Sequence, residues 1–578
     1  MAELPLAWVE GEIDHPLTHL TLGQLLHQRA EQFGDKVIAV FFSQGVRISY
    51  THLLHRGIRV SRALRNVGLK YKDCVGIMAG NCLEYLEIFV GAALIGCSVL
   101  PLNTMYGAWE VQNAIKKSCC RLLFLSVTIG SRRLDEYFEF LDSPVVRSSL
   151  PDLAQVITIG DRPNVSNTTI YEDFLAFSCD IDLPSHSVDP SDILSLQLTS
   201  GTSGEAKISM LTHLNLLNNA YFIGQALCLS ADDILCCPPP LFHSFGLGLG
   251  FLATLIHGGT IVLPSDHFNA GLTLDSIAIE HCTTVYGTPT MFLAELEANA
   301  TQQRLLTTLQ KGLVGASPVP PSLMDRLKEG MGIPVMLVAY GMTETSPVTF
   351  TTRLRDNAAR RATTVGQVMP HTGAKIVDQQ GRTLHRGERG ELCISGYALH
   401  RGYFNNKAKT DEVMREDDNR VTWLYTGNEA ILDQEGYCHI LGRTKDIIIR
   451  GGENLFPAEI ESCLLKHPSI NDASVVGVPD PKYGEAVACF LQALADCAHP
   501  DDKEMKQWVT MRMHKSISPQ HIFWVGTGGI CLDFPKTGSG KHHKGIMKDM
   551  ASQSLQPMIC LFTGKRPAHS KEAAITQG

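Results

Sequence analysis

From Leu22 to about Phe138 the chain alternates amphipathic helical stretches with short apolar runs at Val37–Phe42, Cys74–Met78 and Leu122–Val127. That alternation predicts α/β layering with parallel strands. It returns after Ile193 and again at Thr260–Pro264, Thr283–Tyr286 and Val335–Tyr340. The most apolar segment, Ile88–Leu102, contains two glycines and a proline and is shorter than a bilayer crossing. It reads as a buried helix running into a strand, so no integral membrane segment is expected.

Beyond Pro370 the texture changes to short β-rich pieces with glycine turns, as in Ala374–Asp378 and Gly390–Gly396. Near Gly442 it changes again, to a helix at about Pro457–His467, a strand at Ala473–Val478 and further strands. A stretch of about 100 residues is a normal small domain. The expected fold class is therefore α/β. A large N-terminal domain of several subdomains, residues 1–444, combines layered α/β sheets with a β-rich portion. A small α+β domain follows at 445–548, with the boundary at Arg443 to Lys445. The last stretch, 549–578, loses periodicity and is expected to be a disordered tail.

Composition narrows the class. Hydrophobic residues at 44% and charged residues at 19% are ordinary for a soluble globular protein. A net charge of -9 over 578 residues, with no long basic run, gives no nucleic-acid partner. The 17 cysteines are scattered without a CxxC spacing, which points to reduced core thiols over disulfides or zinc. The first residues, Met1–Pro16, carry acids and prolines where a secretory signal needs a positive charge and an apolar stretch. The expectation is a soluble, intracellular protein.

The first candidate chemistry is Thr199-Ser-Gly-Thr-Ser-Gly-Glu-Ala-Lys207, directly after the alternating run Ile193–Leu198. Its glycines let backbone approach a polyphosphate, its hydroxyls and N–H groups donate to anionic oxygens, and Lys207 adds charge. A Ser/Gly-rich surface turn is the plain alternative. A Walker A loop is disfavoured, because Lys207 lies between Ala206 and Ile208, not between Gly and Ser/Thr.

Further motifs follow in order: Pro239-Pro-Leu-Phe-His243-Ser-Phe-Gly246, Tyr340-Gly-Met-Thr-Glu344 and Tyr425-Thr-Gly-Asn428, then Gly442-Arg-Thr-Lys-Asp446, Arg450-Gly-Gly-Glu-Asn454 and Pro535-Lys-Thr-Gly-Ser-Gly-Lys541. With the loop, these resemble the adenylate-forming superfamily of acyl-CoA synthetases, luciferases and peptide-synthetase adenylation domains. The resemblance implies a large domain, a small mobile lid and an active site between them. It also implies ATP, Mg²⁺ and coenzyme A as cofactors and a small carboxylic acid as substrate. A carboxylate attacks the ATP α-phosphate, pyrophosphate leaves, and a thiolate then displaces AMP.

Roles carry over from the resemblance residue by residue. Thr199, Ser200, Gly201, Thr202, Ser203, Gly204 and Lys207 are expected to hold the β- and γ-phosphates. Tyr340 and Gly341 are expected against adenine, with Gly315, Ala316 and Ser317 as the facing wall. Thr343 is expected at the α-phosphate and Glu344 as the Mg²⁺ ligand, a hard cation preferring carboxylate oxygen. Arg443 resembles the ribose contact, and Lys541 is expected to reach the reacting carboxylate. His243 joins Thr343, Glu344 and Lys541 as a candidate catalytic residue. Rotation of the lid about Lys445 is expected to withdraw Lys541 and present Gly451, Gly452, Glu453 and Asn454 for thioester formation.

Three positions depart from the pattern, as does the segment Lys515-Ser-Ile-Ser-Pro519, which lacks the aromatic-Lys pair expected before its proline. Asn428 stands where the family has a ribose-binding aspartate, and Ala206 and Ile208 stand where it commonly has Pro and Gly. Ile208 resists positive φ, which puts the backbone after Lys207 in question. Phe242, His243 and Phe245 make an aromatic, uncharged wall suited to a fatty or aryl acid lacking an amino group. The overall texture resembles medium-chain acyl-CoA ligases, especially fungal versions in secondary-metabolite pathways, including those making plant-toxic fatty-acid esters. Such relatives often end in an SKL-like peroxisomal tripeptide, whereas this chain ends Ile575-Thr-Gln-Gly578. By that signal a cytosolic location is expected, with a peroxisomal one left open. Two other functions compete: a stand-alone adenylating enzyme that loads a carrier protein or makes an amide or ester, and a catalytically weakened ATP- or acyl-binding protein.

Overall fold

A computed structural model describes residues 5–161, 168–176, 178, 188–199, 207–451, 453–494, 500–513, 517–526, 528–537 and 541–563. The chain forms two compact units, Met1–Ile440 with Gly538–Lys541, and Leu441–Thr537 with His542–Gly578. The division at Ile440 falls a few residues before the expected Arg443, inside the strand Cys438–Arg443.

The large unit contains two layered sheets and a β-rich portion. One sheet has seven strands, and Cys74–Met78, Ser98–Pro101, Cys120–Ser126, Gln155–Ile159 and Ile193–Thr199 run parallel in it. The other has nine, with Val37–Phe41, Thr260–Leu263, Ile234–Cys236, Thr284–Gly287, Lys311–Gly315 and Val335–Gly341 parallel. The apolar runs of the sequence are these strands. They read as continuous rather than alternating because helices cover both faces of a parallel sheet. Ile88–Leu102 forms the end of the helix Leu83–Leu94 and the strand Ser98–Pro101, and almost all of it is buried.

The largest apolar cluster joins the helices Leu22–Phe33, Tyr50–Asn66, Leu83–Leu94 and His213–Ala226 to strands of both sheets. Ends of these helices are fixed locally. Thr21 and Gln24 form a reciprocal capping box, as do Thr212 and Asn215. A six-stranded sheet joins Trp8–Glu10 to five strands beyond Pro370, Thr372–Val377, Gly390–Gly396, Thr422–Leu432, Met414–Glu416 and Cys438–Arg443.

The small unit has a five-stranded sheet built around the hairpin Ile470–Asp480 and Gly484–Ala493, with the helix Pro457–Leu464 packed against it. The helix Lys544–Thr563 occupies the first part of the stretch from Asp549 that was expected as a disordered tail, and residues 564–578 lie outside the described residues. Met547, Ala551 and Leu555 are buried in a cluster with Val476, Val478, Ala488 and Phe490. Their spacing of four residues is a helical stripe, and packing on the sheet stabilises a helix whose polar faces concealed it.

Candidate active site

The strands Ile193–Thr199 and Lys207–Thr212 pair antiparallel, with Thr199 opposite Lys207. These two residues therefore stand side by side at the mouth of the predicted phosphate loop. Ser200, Gly201, Thr202, Ser203 and Gly204 lie outside the described residues. Ile208 pairs with Leu198 and is 3% exposed. The position needs extended backbone and an apolar side chain, which a β-branched residue supplies. Glycine is not required there, so the question raised by the sequence is answered.

In the nine-stranded sheet, Ile234–Cys236, Thr284–Gly287, Lys311–Gly315 and Val335–Gly341 are successive parallel neighbours. Ligands of such sheets bind beyond the carboxyl ends of the strands. Gly315 pairs with Ala339, which places Tyr340 one residue further along the neighbouring strand and brings the Gly315–Ser317 segment to the same edge. A Cβ on Gly315 would sit 2.7 Å from the Ala339 carbonyl oxygen, and one on Gly341 1.7 Å from that of Pro347. Both close approaches demand glycine. Ala316 adopts φ 71°, a left-handed conformation costing a non-glycine residue about 1–3 kcal/mol. Such strain collects where a chain is shaped for a ligand.

His243 follows the strand Ile234–Cys236 at this edge. Its Nδ1 accepts the Phe245 N–H at 3.1 Å, and burial pushes its pKa down to about 4. The neutral ring must then carry its proton on Nε2, so it serves as a hydrogen-bond donor rather than a cation. Phe242 and Phe245 are buried, and Phe245 packs 5.9 Å from Tyr286. Both rings belong to the main apolar cluster of the large unit.

Thr343 and Glu344 lie in the single turn Thr343–Thr345 just past Gly341. Glu344 is 7% exposed, and Tyr403 donates its hydroxyl to Glu344 Oε1 at 2.8 Å. The Glu344 carbonyl accepts the His400 N–H at 2.9 Å. His400 Nδ1 shares a 2.9 Å hydrogen bond with Ser209 Oγ, and its ring meets that of Tyr403 edge-on at 4.9 Å. Lys207 Nζ stands 4.7 Å over the Tyr403 ring. Backbone bonds Arg401 N–H to Met210 O, Met210 N–H to Gly402 O and Phe404 N–H to Ile208 O complete the contact. The loop's exit strand is thus tied through residues 400–404 to the candidate metal ligand.

Tyr403 and His400 were missed in the sequence because their partners are distant in the chain. A buried carboxylate requires a donor, and that was the available signal. Burial pushes the Tyr403 hydroxyl up, and the Glu344 charge adds to it. The proton stays on oxygen at physiological pH, and the donor role is permanent. Burial likewise drives His400 down to about 4. Among the described residues no cluster of three metal-ligating side chains occurs. One carboxylate suits Mg²⁺, which keeps waters and takes phosphate oxygens, and Glu344 has an oxygen that Tyr403 does not engage.

The remaining expected residues lie on later strands and turns. Asn428, in the strand Thr422–Leu432, donates Nδ2 to Thr426 O at 3.2 Å and leaves Oδ1 to accept. Arg443 ends the strand Cys438–Arg443 and is exposed, as is Lys445 in the following turn. Gly451 takes φ 61° and donates to Tyr483 O at 2.7 Å. Gly452 and the Asn454 side chain are outside the described residues, as are Gly538–Gly540 before Lys541. No helix among the described residues is long and apolar enough to cross a membrane.

The chain is similar to known proteins in sequence and in fold. A model of the AMP-binding enzyme family matches residues 26–404, and one of the AMP-binding enzyme C-terminal domain matches 459–541. The acyl-CoA ligase sidI of Aspergillus fumigatus is 43% identical over 560 residues, covering 95% of this chain and 94% of that protein. The mouse mitochondrial medium-chain acyl-CoA ligase ACSF2 is 31% identical over 573 residues, covering 95% and 91%. In fold, the anthranilate CoA ligase AuaEII, solved with anthranoyl-AMP, superposes with a TM-score of 0.80 at 22% identity, covering 95% and 99%. With a family model spanning most of the large unit, a second spanning most of the small one, and relatives aligned over nearly its whole length, the chain belongs to the AMP-binding, adenylate-forming enzymes.

Proposed function

We propose that this protein is an AMP-forming acyl-CoA ligase acting on a medium-chain fatty or related acid. The observation that carries the reading is the convergence of Gly315, Tyr340, Thr343 and Glu344 at the carboxyl edge of one parallel sheet, with Lys207 held over Tyr403 beside Glu344. Likeness to fungal acyl-CoA ligases and to a medium-chain ligase supports the choice of acid and acceptor.

In the first half-reaction a carboxylate oxygen bonds to the α-phosphorus of ATP and the bond to pyrophosphate breaks. Thr199, Lys207 and the loop between them receive the β- and γ-phosphates, and Tyr340 with Gly315–Ser317 receives the adenine. Thr343 orients the α-phosphate, and Lys541 neutralises charge at the reacting oxygens. Catalysis here is positioning and charge compensation. Glu344 would hold Mg²⁺, which supplies neutralisation of phosphate charge. His243 Nε2–H donates towards the acid, and Phe242 and Phe245 line its path. In the second half-reaction the coenzyme A thiolate bonds to the acyl carbon and AMP leaves. Turning about Lys445 exchanges Lys541 for the Gly451–Asn454 segment between the two steps.

The test is AMP release from Mg-ATP with coenzyme A across straight-chain acids of increasing length and a set of aryl acids. Acid-dependent release with a medium-chain optimum and matching acyl-CoA is expected. Release without acyl-CoA would replace the acceptor, and no acid-dependent release would end the reading.

A further inference from the structure

The loop that ends in Lys541 is closed at its base within the small unit. Lys536 and His542 face each other as an antiparallel bridge, and the His543 N–H donates to Pro535 O at 2.7 Å. The His542 ring stacks on Phe534 with centroids 4.4 Å apart and planes 14° from parallel. Its Nε2 donates to Asp472 Oδ2 at 3.0 Å, from the strand Ile470–Asp480, and both side chains are 16% exposed. The other oxygen, Asp472 Oδ1, accepts the Ala473 N–H at 2.8 Å. Two further bonds fix the chain just beyond, from Lys544 to Glu461 at 2.7 Å and from Lys548 to Glu485 at 3.0 Å.

We propose that His542 is a positioning residue for Lys541, clamped by Asp472 at its edge and by Phe534 on its face. The inference rests on the reading of Lys541 as the adenylation lysine. A lysine carries four rotatable methylenes, so the placement of its ammonium group depends on a fixed backbone origin. The residue that follows Lys541 offers one, because a ring held on two sides loses its χ and backbone freedom. Misplacing a reacting group by about 1 Å costs about 10²-fold in rate. The small unit does not depend on this ring for its core, which Phe534, Met547, Ala551 and Leu555 build with the sheet.

The test uses the full chain with His542→Ala, Asp472→Asn, the double variant and Lys541→Ala. Octanoate-dependent pyrophosphate exchange reads the first half-reaction, and octanoyl-CoA formation from preformed octanoyl-adenylate reads the second. His542→Ala and Asp472→Asn are each expected to slow exchange about 10- to 100-fold and to leave the second step within about twofold. The double variant is expected to be no slower than His542→Ala alone, since both act through one contact. Equal loss in both steps would mean a merely structural role and overturn the proposal. Unchanged exchange in His542→Ala beside a collapsed Lys541→Ala would overturn it while leaving the adenylation reading intact. Unchanged exchange in Lys541→Ala would overturn both. Asp472→Asn, nearly isosteric, keeps the test decisive should His542→Ala fail to fold.

Discussion

Replacing Tyr403 with phenylalanine removes one oxygen from beside the candidate metal ligand and leaves the ring under Lys207 in place. The lost bond is a hydrogen bond to an ionised acceptor, worth about 1.5–3 kcal/mol when buried. Glu344 is 7% exposed, so water cannot readily substitute. Metal-free Tyr403→Phe is therefore expected to lose about 1.5–3 kcal/mol in urea unfolding. Orientation of the carboxylate is lost as well, and removing a group that orients a metal ligand weakens metal affinity or activity by about 10- to 100-fold. The Mg²⁺ concentration giving half-maximal pyrophosphate exchange should rise within that range.

The ring provides an internal control. Phenylalanine retains the cation–π contact with Lys207, so apparent ATP affinity at saturating Mg²⁺ should change little. Tyr403→Leu abolishes that contact, worth about 0.5–2 kcal/mol, and should raise the ATP KM by a further 2- to 30-fold. Should Tyr403→Phe shift neither metal-free stability nor the Mg²⁺ requirement by more than about 0.5 kcal/mol, the hydrogen bond is not what holds Glu344. A Leu variant that matched Phe in ATP affinity would likewise detach Lys207 from the ring.

Other expectations follow from single contacts. Asn428→Asp gains a second acceptor for the ribose hydroxyls, worth about 1–3 kcal/mol, but loses the bond to Thr426 O and sets a carboxylate against that carbonyl. The expected result in steady-state kinetics is a lower ATP KM with a lower Tm, and an unchanged KM would place the ribose elsewhere. Glu295 is fully buried with no partner for either oxygen among the described residues, and burial pushes its pKa well up. The folded chain holds this proton more tightly than the unfolded one, so stability falls as pH rises above about 4.3, the unfolded value. Glu295→Leu should flatten that fall and stabilise by about 1–3 kcal/mol at neutral pH in urea titrations; a destabilised variant would show an unrecognised partner. Lys445→Pro, which fixes φ at the hinge, should slow thioester formation far more than adenylation in separate half-reaction assays. Equal slowing would move the hinge.

Strands of the large unit were legible because each is a short apolar run with helical stretches on either side, and burial on both faces leaves no other periodicity. Val37–Phe41, Cys74–Met78 and Val335–Gly341 fall within a residue or two of their expected ends. The helix through Asp549 was not legible. Its stripe of Met547, Ala551 and Leu555 is narrow, and five of the six intervening residues, Lys548, Asp549, Ser552, Gln553 and Ser554, are polar and also suit a solvated tail. Ile208 misled in the opposite direction. A family preference for glycine there raised a doubt that the strand pairing with Leu198 dissolves, since nothing in this ladder asks for positive φ.

Motifs mark where chemistry occurs but not what secures it, and the difference is one of distance along the chain. Gly315 and Gly341 announce themselves because a close backbone approach admits no other residue. Tyr403 lies 59 positions from Glu344, and Ser209 lies 191 from His400. No local rule relates them. The relation nonetheless follows from the proposed role, since a carboxylate at 7% exposure that is to hold a cation calls for a donor from somewhere in the fold, unlike Glu295, whose proton burial retains. That reasoning gives the class of the missing residue before its position is known. It must be a neutral donor, since a second cation beside Lys207 would repel it, and it must be rigid enough to hold direction. A tyrosine meets both conditions, and its ring then offers Lys207 a face that a serine or threonine could not. The same group contacts the candidate metal ligand and the lysine proposed for the phosphates, so disturbance of either should be felt by the other.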